Sequence, residues 1–341
     1  MRKFLLLAIL ITSVFSCTNN KKEKQLKDKQ SSTYVALQKT ASSMFGVLPT
    51  SAESKSNPLT KEKVALGKKL FLDKRLSKDN TQSCNTCHNL KTYGVDNLST
   101  SPGNNGGFGT RNSPTVFNAA LHVAQFWDGR EPDVEAQAGG PILNSVEMAM
   151  PSEKVVVKRL SKIDEYNKLF AKVFPNEKDP ITYKNIQKAI GAFERTLITP
   201  SRFDDFIKGD LSALTTEEKE GLQLFIDKGC VACHSGNAVG GKIFQKFGIY
   251  DDYWKYTKSK KIDNGKYDVT KNENDKYIFK SPSLRNIEKT YPYFHDGSIK
   301  DLKEAVSIMA KIQLNKDLSE KELNSLVVFL NSLTAKKPET I

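Results

Sequence analysis

Apolar residues recur at helical spacing along much of the chain, and this pattern predicts a mainly α-helical protein. The stretches KEKVALGKKLF (61–71) and TEEKEGLQLF (216–225) each predict a short amphipathic helix, and the threonines before them are N-cap candidates. The same spacing predicts helices within 151–174, 183–197 and 318–333. Runs typical of strands are few.

Two distant segments of the chain resemble each other. Residues 113–135 align without a gap to 281–303 at a constant offset of 168, and seven of the 23 positions are identical. The alignment pairs Trp127 with His295, each of which is followed by Asp-Gly. The simplest account is an internal duplication, with a boundary between the halves near 198–206, where Pro200 interrupts the helical pattern.

Each half carries one CxxCH motif, the spacing at which c-type haem is attached. In QSCNTCHNL the motif is Cys84, Cys87 and His88, and in GCVACHSG it is Cys230, Cys233 and His234. The cysteines would bond to the porphyrin and the histidine would take one axial position on the iron.

Other uses of these cysteines fit the sequence less well. Zinc would need two further ligands at each motif, and His122 and His295 are the two histidines outside the motifs. Thioredoxin-like redox chemistry would need a βαβ context, which the pattern does not predict. The fifth cysteine, Cys17, lies in the N-terminal leader, so none remains for a disulfide.

The N-terminus predicts export. Arg2 and Lys3 precede an apolar stretch (4–15) that is too short to span a bilayer. Cys17 in VFSC resembles a bacterial lipoprotein cleavage site and would carry lipid, which predicts a periplasmic protein anchored to the membrane; cleavage nearby that discards Cys17 is the alternative. We therefore expect a signal peptide at 1–17, a polar tether at 18–57, and haem domains at 58–200 and 201–341.

The formal charge is +13, with lysines concentrated in 21–30 and 255–276. This excess favours acidic partners. No basic helix interleaved with aromatic residues is evident, which argues against nucleic-acid binding.

Four segments together resemble the bacterial dihaem cytochrome c peroxidases and, more distantly, the related MauG-like dihaem oxidases. They are LFLDKRLSKDNTQSCNTCHNL, RNSPTVFNAALHVAQFWDGR, QAGGPILNSVEM and TYPYFHDGS, and the resemblance runs from about Asn57 to the C-terminus. It implies two tandem cytochrome-c-like domains with one haem each and a calcium ion near their interface. It also implies reduction of hydrogen peroxide to water, with electrons from a small cytochrome c or copper protein, and a homodimer as in many relatives.

The resemblance assigns residues of the peroxide pocket. Glu147 is the acid/base that moves a proton between the peroxide oxygens, a task suited to a carboxylate whose pKa is raised by burial. Gln137 is the second polar residue of the pocket. Trp127 lies between the haems, where a core aromatic is the alternative interpretation.

The resemblance also assigns the second haem and the calcium site. Met309 is the axial ligand opposite His234, and Met/His ligation raises the reduction potential. His295 lies near this haem as a hydrogen-bonding residue. Calcium is held by the Asn112 side chain and the Thr290 and Pro292 carbonyls, a set suited to a hard cation.

One part of the sequence departs from the family. Many members carry a distal histidine in the loop before RNSP, which blocks the peroxidatic haem until the other haem is reduced. Here the loop 100–112 has no histidine, and Asn104 occupies the matching place. We expect an open distal face and no reductive activation; His122 as a substitute ligand is the alternative.

Two other functions stay open at this point. A MauG-like oxidase acting on a protein partner typically has tyrosine in place of the axial methionine, so Met309 argues against it. A dihaem electron carrier would have no use for Glu147 and Gln137. Binding of peroxide or cyanide to the N-terminal haem distinguishes the carrier from the enzymes.

Overall fold

The computed structural model describes residues 31–259 and 261–336, which are mainly helical as predicted. Numbered along this part of the chain, the α-helices are α1 (31–45), α2 (Lys61–Phe71), α3 (Cys84–Cys87), α4 (Val134–Leu143), α5 (Glu153–Ser161), α6 (Asp164–Val173), α7 (Tyr183–Glu194), α8 (Arg202–Ile207), α9 (Thr216–Asp227), α10 (Tyr253–Thr257), α11 (Tyr267–Thr270), α12 (Leu302–Leu314) and α13 (Glu320–Asn331). Strands β1 (Phe244–Lys246) and β2 (Ile278–Lys280) pair antiparallel, with Phe244 opposite Lys280.

Side-chain caps begin the helices predicted from the sequence. Thr60 accepts a hydrogen bond from the Lys63 amide at the start of α2. Thr215 forms a capping box with Glu218 at the start of α9, and Ser319 forms one with Glu322 at the start of α13. These caps satisfy amides of the first turn that have no partner within the helix.

Each half is built around one pair of crossing helices, α2 with α7 and α9 with α13. Both crossings depend on a glycine. A Cβ on Gly67 would lie 1.8 Å from the Ala189 carbonyl oxygen, and one on Gly221 would lie 2.1 Å from the Ser325 carbonyl oxygen. Because no side chain fits there, the two backbones can approach closely.

The duplicated segments share several backbone features at equivalent positions. A 3₁₀ turn occupies Ala119–Leu121 in one half and Ile287–Lys289 in the other, at the offset of 168. At that same offset, isolated bridges join Gln125 to Glu131 and Tyr293 to Ile299, and Asp133 and Asp301 cap α4 and α12. The sequence repeat is therefore also a structural repeat.

Two large hydrophobic cores lie on either side of the segment 198–202. The first draws its buried residues from Leu66 to Leu197, and the second from Phe203 to Leu333 together with three residues of α1. A smaller aromatic cluster around Tyr253 packs beside α12.

The polar tether expected at 18–57 is wrong for the residues that the structure describes. Residues 31–45 form α1, and Leu37, Ala41 and Phe45 are buried in the second core. Their i, i+4, i+8 spacing is a helical stripe, which the high lysine content of the neighbouring residues obscured. The expected signal peptide, Cys17 and residues 18–30 lie outside the described part of the chain.

A buried polar junction joins the two halves at Thr199. Its hydroxyl accepts hydrogen bonds from the amide groups of Asn118 (2.7 Å) and Asn286 (2.9 Å), which are equivalent residues of the repeat. The Thr199 amide donates to the Asn118 side-chain oxygen at 3.0 Å, and the Ala335 amide donates to that of Asn286 at 3.0 Å. Asn118, Asn286 and Thr199 are almost entirely buried, so these groups depend on one another for partners.

Replacing Thr199 with valine tests this junction. Thr199→Val keeps the shape but leaves two buried amide donors without an acceptor, at a cost of about 1–3 kcal/mol each. We expect a lower free energy of unfolding in denaturant titrations of the haem-loaded protein. The control is Thr196→Val, whose hydroxyl donates to the Phe193 carbonyl, a group that also accepts from an amide. Equal stability of the two variants would contradict the prediction.

Candidate haem centres

The two CxxCH motifs adopt nearly the same local structure. Cys84–Cys87 form one helical turn capped by Ser83, and the His88 amide donates to the Cys84 carbonyl at 3.0 Å. In the second motif the His234 amide donates to the Cys230 carbonyl at 3.1 Å. All four cysteines are free and half-buried. Each turn brings two thiols and an imidazole together, as covalent haem attachment requires.

Both motif histidines are held in the neutral form that binds iron. Burial lowers the pKa of His88, although Asp96 and the backbone of Gly94 and Pro114 act in the opposite direction. Burial likewise lowers the pKa of His234 to about 4, against the backbone of Pro282 and Val239. Pro114 and Pro282 are equivalent in the repeat. The Nδ1 atoms of His88 and His234 make no hydrogen bond of ordinary geometry.

The second motif opens onto a largely apolar cavity of about 1810 Å³, its mouth included. Cys230, Cys233 and His234 line it, and so does Met309 from α12. This donor set and the apolar wall fit a covalently bound haem with histidine and methionine on its two faces. Within the described residues no group of three or more His, Cys, Asp or Glu is placed to hold a metal ion.

The repeat places a different residue at the position of Met309 in the first half. Counting back 168 positions from Met309 leads to Pro141, which lies within α4 as Met309 lies within α12. Proline has no side-chain group that binds iron. The two halves therefore share a scaffold but differ on the distal side.

Glu147 follows α4 and faces the first motif. The Asn144 side chain donates to its carboxylate at 2.9 Å. Burial raises the pKa of Glu147, while Arg130 and Asn144 act to lower it. Burial also raises the pKa of Cys87 to about 11, and the negative charges of Asp96 and Glu147 add to that rise. Glu147 is thus close to the first motif and holds a proton more readily than an exposed glutamate does.

Gln137 lies on α4, the helix that leads to the Glu147 turn, and its side chain is half-buried. The described residues show no hydrogen bond between Gln137 and Glu147. Gln137 lies on α4 and Glu147 lies in the turn that follows it, and a direct contact between them stays a prediction.

The loop 100–112 is docked beside Glu147. The backbone amide of Asn104 donates to the backbone carbonyl of Glu147 at 2.6 Å. The Asn104 side chain donates to the Asp79 carboxylate at 2.7 Å and accepts from the Thr81 hydroxyl at 3.1 Å. Its donors and acceptors are thus engaged with residues 79–81, contacts that the sequence did not predict because they join segments 23 to 25 positions apart.

Trp127 and His295, which are equivalent in the repeat, lie next to each other in the structure. Their rings are 6.4 Å apart and nearly perpendicular. The Trp127 indole donates to the Asn112 carbonyl at 2.9 Å, and the Asn112 amide donates to the His295 carbonyl at 2.7 Å. Both rings line the second cavity, and His295 stacks on Phe279 at 4.3 Å.

His122, the alternative ligand considered for the first haem, lies on the side of the second motif. It lines the cavity of the second motif, where its Nδ1 lies 3.0 Å from the Lys280 ammonium group. His122 follows a 3₁₀ turn of the first half but faces the second half, since Val123 pairs with Gly241. Sequence proximity to the first motif was misleading, because the chain crosses the interface there.

The residues expected to bind calcium are among those that line the cavity of the second motif. Asn112, Thr290 and Pro292 all line it, although Asn112 belongs to the other half of the chain. The Asn112 side-chain amide donates to the Leu98 carbonyl at 2.9 Å, which directs its nitrogen to the protein and leaves its oxygen for another partner.

Comparison with known proteins places the chain in a family. A profile described as di-haem cytochrome c peroxidase matches residues 61–212, and one described as cytochrome c matches residues 218–334. The chain is 44% identical to cytochrome c551 peroxidase of Pseudomonas aeruginosa over 89% of this chain and 88% of that protein. It is 46% identical to cytochrome c551 peroxidase of Nitrosomonas europaea over 83% of each.

The fold also resembles that of a solved structure. A MauG-like protein associated with microbial copper homeostasis superposes with a TM-score of 0.74 at 28% identity, covering 85% of this chain and 94% of that one. In the described part of the chain, no helix combines the length and apolar character needed to cross a membrane.

Mass spectrometry of the intact protein tests the two motifs separately. We expect the mature chain to carry two haems, since each motif holds its own pair of cysteines. Replacing Cys84 and Cys87 with serine should remove one haem, and replacing Cys230 and Cys233 should remove the other. Loss of both haems from either variant would show that attachment at the two motifs is not independent.

Proposed function

The chain belongs to the di-haem cytochrome c peroxidase family, and from that premise we propose how its own residues divide the reaction. The protein is a cytochrome c peroxidase that reduces hydrogen peroxide and takes its electrons from an external donor. The family and the two cysteine pairs imply two c-type haems. We propose residues 58–200 as the peroxidatic domain and 201–341 as the electron-transfer domain, with α1 packed on the latter.

Glu147 carries this assignment, because burial raises its pKa and its charge acts on Cys87 of the first motif. When bound there by Cys84, Cys87 and His88, the haem supplies the iron and the electrons that cleave the O–O bond. Glu147 accepts a proton from one peroxide oxygen and donates it to the other, which leaves as water. Two protons and two electrons in total convert peroxide to two waters.

Asn144 and Asn104 position the Glu147 turn. The Asn144 amide orients the carboxylate, and the Asn104 amide holds the Glu147 carbonyl. Gln137, from α4, is proposed as a second hydrogen-bond donor to peroxide or to a water in the pocket. These residues lower the cost of orienting the reactants before the proton moves.

Met309 and His234 would hold the second iron, since both line the second cavity. A thioether ligand favours the reduced iron and gives the high potential that an electron acceptor needs. Trp127 lines this cavity, and its indole donates to the carbonyl of Asn112 in the first half. These contacts support a position of Trp127 between the two haems. His295 packs against Trp127 and Phe279, and we propose a wall and hydrogen-bonding role for it.

The distal side of the first haem is proposed to be open in the oxidised enzyme. The equivalent of Met309 is Pro141, His122 faces the other cavity, and the Asn104 side chain is engaged by Asp79 and Thr81. None of these residues is available as an iron ligand. We infer that peroxide can react before the second haem is reduced.

Calcium is proposed at Asn112, Thr290 and Pro292, which line the same cavity and come from both halves. Side-chain and carbonyl oxygens with water suit a hard cation. A cation there would stabilise the interface beside Trp127, whose indole donates to the Asn112 carbonyl.

Export, the lipid anchor at Cys17 and dimer formation are proposals from the sequence and the family resemblance alone. The electron donor is proposed to be a small cytochrome c or copper protein, since two relatives are cytochrome c551 peroxidases. The lysine-rich segment 255–276 is a poor docking candidate, because several of its lysines pair with acidic residues. Lys255 lies 2.8 Å from Asp251 and Lys276 lies 2.6 Å from Glu273.

Replacing Glu147 tests the proton transfer. Glu147→Gln should lower the second-order rate constant for peroxide by about 10²–10⁴-fold. Because the carboxylate form acts as the base, the wild-type rate constant should rise with pH through the raised pKa of Glu147, and the variant should lose that rise. The control is Glu165→Gln, which removes a carboxylate paired with Lys69 at the surface. Unchanged rates in Glu147→Gln would exclude the proposed role.

Stopped-flow mixing of the fully oxidised holoprotein with peroxide tests the open distal face. We expect reaction without a lag. Asn104→His releases the loop from Asp79 and Thr81 and supplies an imidazole, so we expect a low-spin first haem and a lag until reduction. Asn105→His, on the exposed neighbour, should behave like wild type. A six-coordinate low-spin first haem in oxidised wild-type protein would overturn the proposal, and no reaction with peroxide or cyanide would instead indicate an electron carrier.

A further inference from the structure

Lys280 is a buried cation beside the second CxxCH motif. Its residue is 6% exposed, and it lines the same cavity as Cys230, Cys233 and His234. The Lys280 amide donates to the Trp127 carbonyl at 2.8 Å, which fixes the end of β2 against the wall between the halves. The side chain is therefore built into the cavity and is not a surface lysine that has folded back.

No carboxylate in the described part of the chain pairs with Lys280. The negative charge of Asp128 raises the pKa of Lys280, but this carboxylate already forms ion pairs with Arg111 at 2.5 Å and with Arg130 at 2.8 Å. Burial lowers the pKa of Lys280 to about 8, and Asp128 offsets only part of this. A buried ammonium group without an anion is costly, so this arrangement calls for a negative partner in the cavity.

His122 points to the same need. Its Nδ1 atom lies 3.0 Å from the Lys280 ammonium and accepts from it, which places the imidazole proton on Nε2. Nε2 is buried and has no partner among the described residues. A Cβ on Gly241 would lie 2.3 Å from the His122 ring, so the ring is closely packed and its direction is set.

We propose that Lys280 and His122 bind a propionate carboxylate of the C-terminal haem. Lys280 supplies the charge and one hydrogen bond, and His122 supplies a second hydrogen bond through Nε2. The peripheral carboxylates of a haem are the anions that would enter this cavity with the cofactor. The inference rests on the proposed function only in requiring a haem at Cys230 and Cys233.

This contact gives the C-terminal haem part of its reduction potential. A fixed positive charge near the porphyrin favours the ferrous form, which carries one positive charge less than the ferric form. The Lys280 amide also holds the Trp127 carbonyl, so the contact ties the haem edge to the wall between the two halves.

Spectroelectrochemistry of the holoprotein tests the charge. In Lys280→Met the ratio of ferrous to ferric C-terminal haem at a fixed applied potential should fall about tenfold, which is ~59 mV for one electron. Lys280→Arg should retain most of the wild-type value. The matched control is Lys242→Met, since Lys242 also lies near His122 but is exposed and donates to the Leu121 carbonyl. Equal potentials in Lys280→Met and Lys242→Met would overturn the proposal.

Resonance Raman spectroscopy tests the contact itself. The propionate bending bands of the C-terminal haem should shift in Lys280→Met and in His122→Phe, and not in Lys242→Met. If Lys280→Met does not retain its haem, His122→Phe still decides the matter, and unshifted bands in His122→Phe would contradict the proposal. A potential that follows phosphate or chloride concentration would assign the site to a mobile anion instead.

Intact mass separates this failure from failure of the proposed function. A protein with two haems and unshifted bands rejects the propionate contact alone. A protein without a haem at Cys230 and Cys233 rejects the premise.

Discussion

The packing of the two halves against each other depends on the hydrogen bonds that the Thr199 hydroxyl accepts. This hydroxyl accepts one hydrogen bond from Asn118 and one from Asn286, the same residue in two copies of a duplicated segment. Since these groups are buried, neither asparagine can exchange its partner for water. The duplicated segments also carry Trp127 and His295, so the junction that fixes the halves also fixes the wall between the two haem sites.

Within that shared frame the two copies have become different centres. The motif histidines, the nearby prolines and the caps of α4 and α12 are equivalent, but Met309 corresponds to Pro141. One copy therefore presents a thioether to its cavity, whereas the other leads to the Glu147 turn. The proposed division between electron acceptance and peroxide chemistry rests on this difference between the side chains that the common backbone presents.

Buried charge follows the same division. On the side of the first motif, burial favours protonated Glu147, a group that can give and take a proton. On the side of the second, the buried charge is the ammonium of Lys280 with the neutral His122 beside it. The fully buried side chains of Arg285 and Asp204 form an ion pair at 2.7 Å. Each of these charges therefore has a partner within the protein, whereas the Lys280 ammonium has none among the described carboxylates.

The sequence by itself determined the helices, the repeat and the two attachment motifs, because caps, apolar spacing and CxxCH are local patterns. It did not reveal α1, because the apolar stripe of this helix is buried only by packing on distant residues of the second core. It was also silent on the place of His122, on Lys280 and on the contacts of Asn104. Those features depend on which distant segments meet, and hydrogen bonds between residues 25 or 158 positions apart leave no local pattern. Tertiary structure alone decided them, since it sets which buried polar groups find partners.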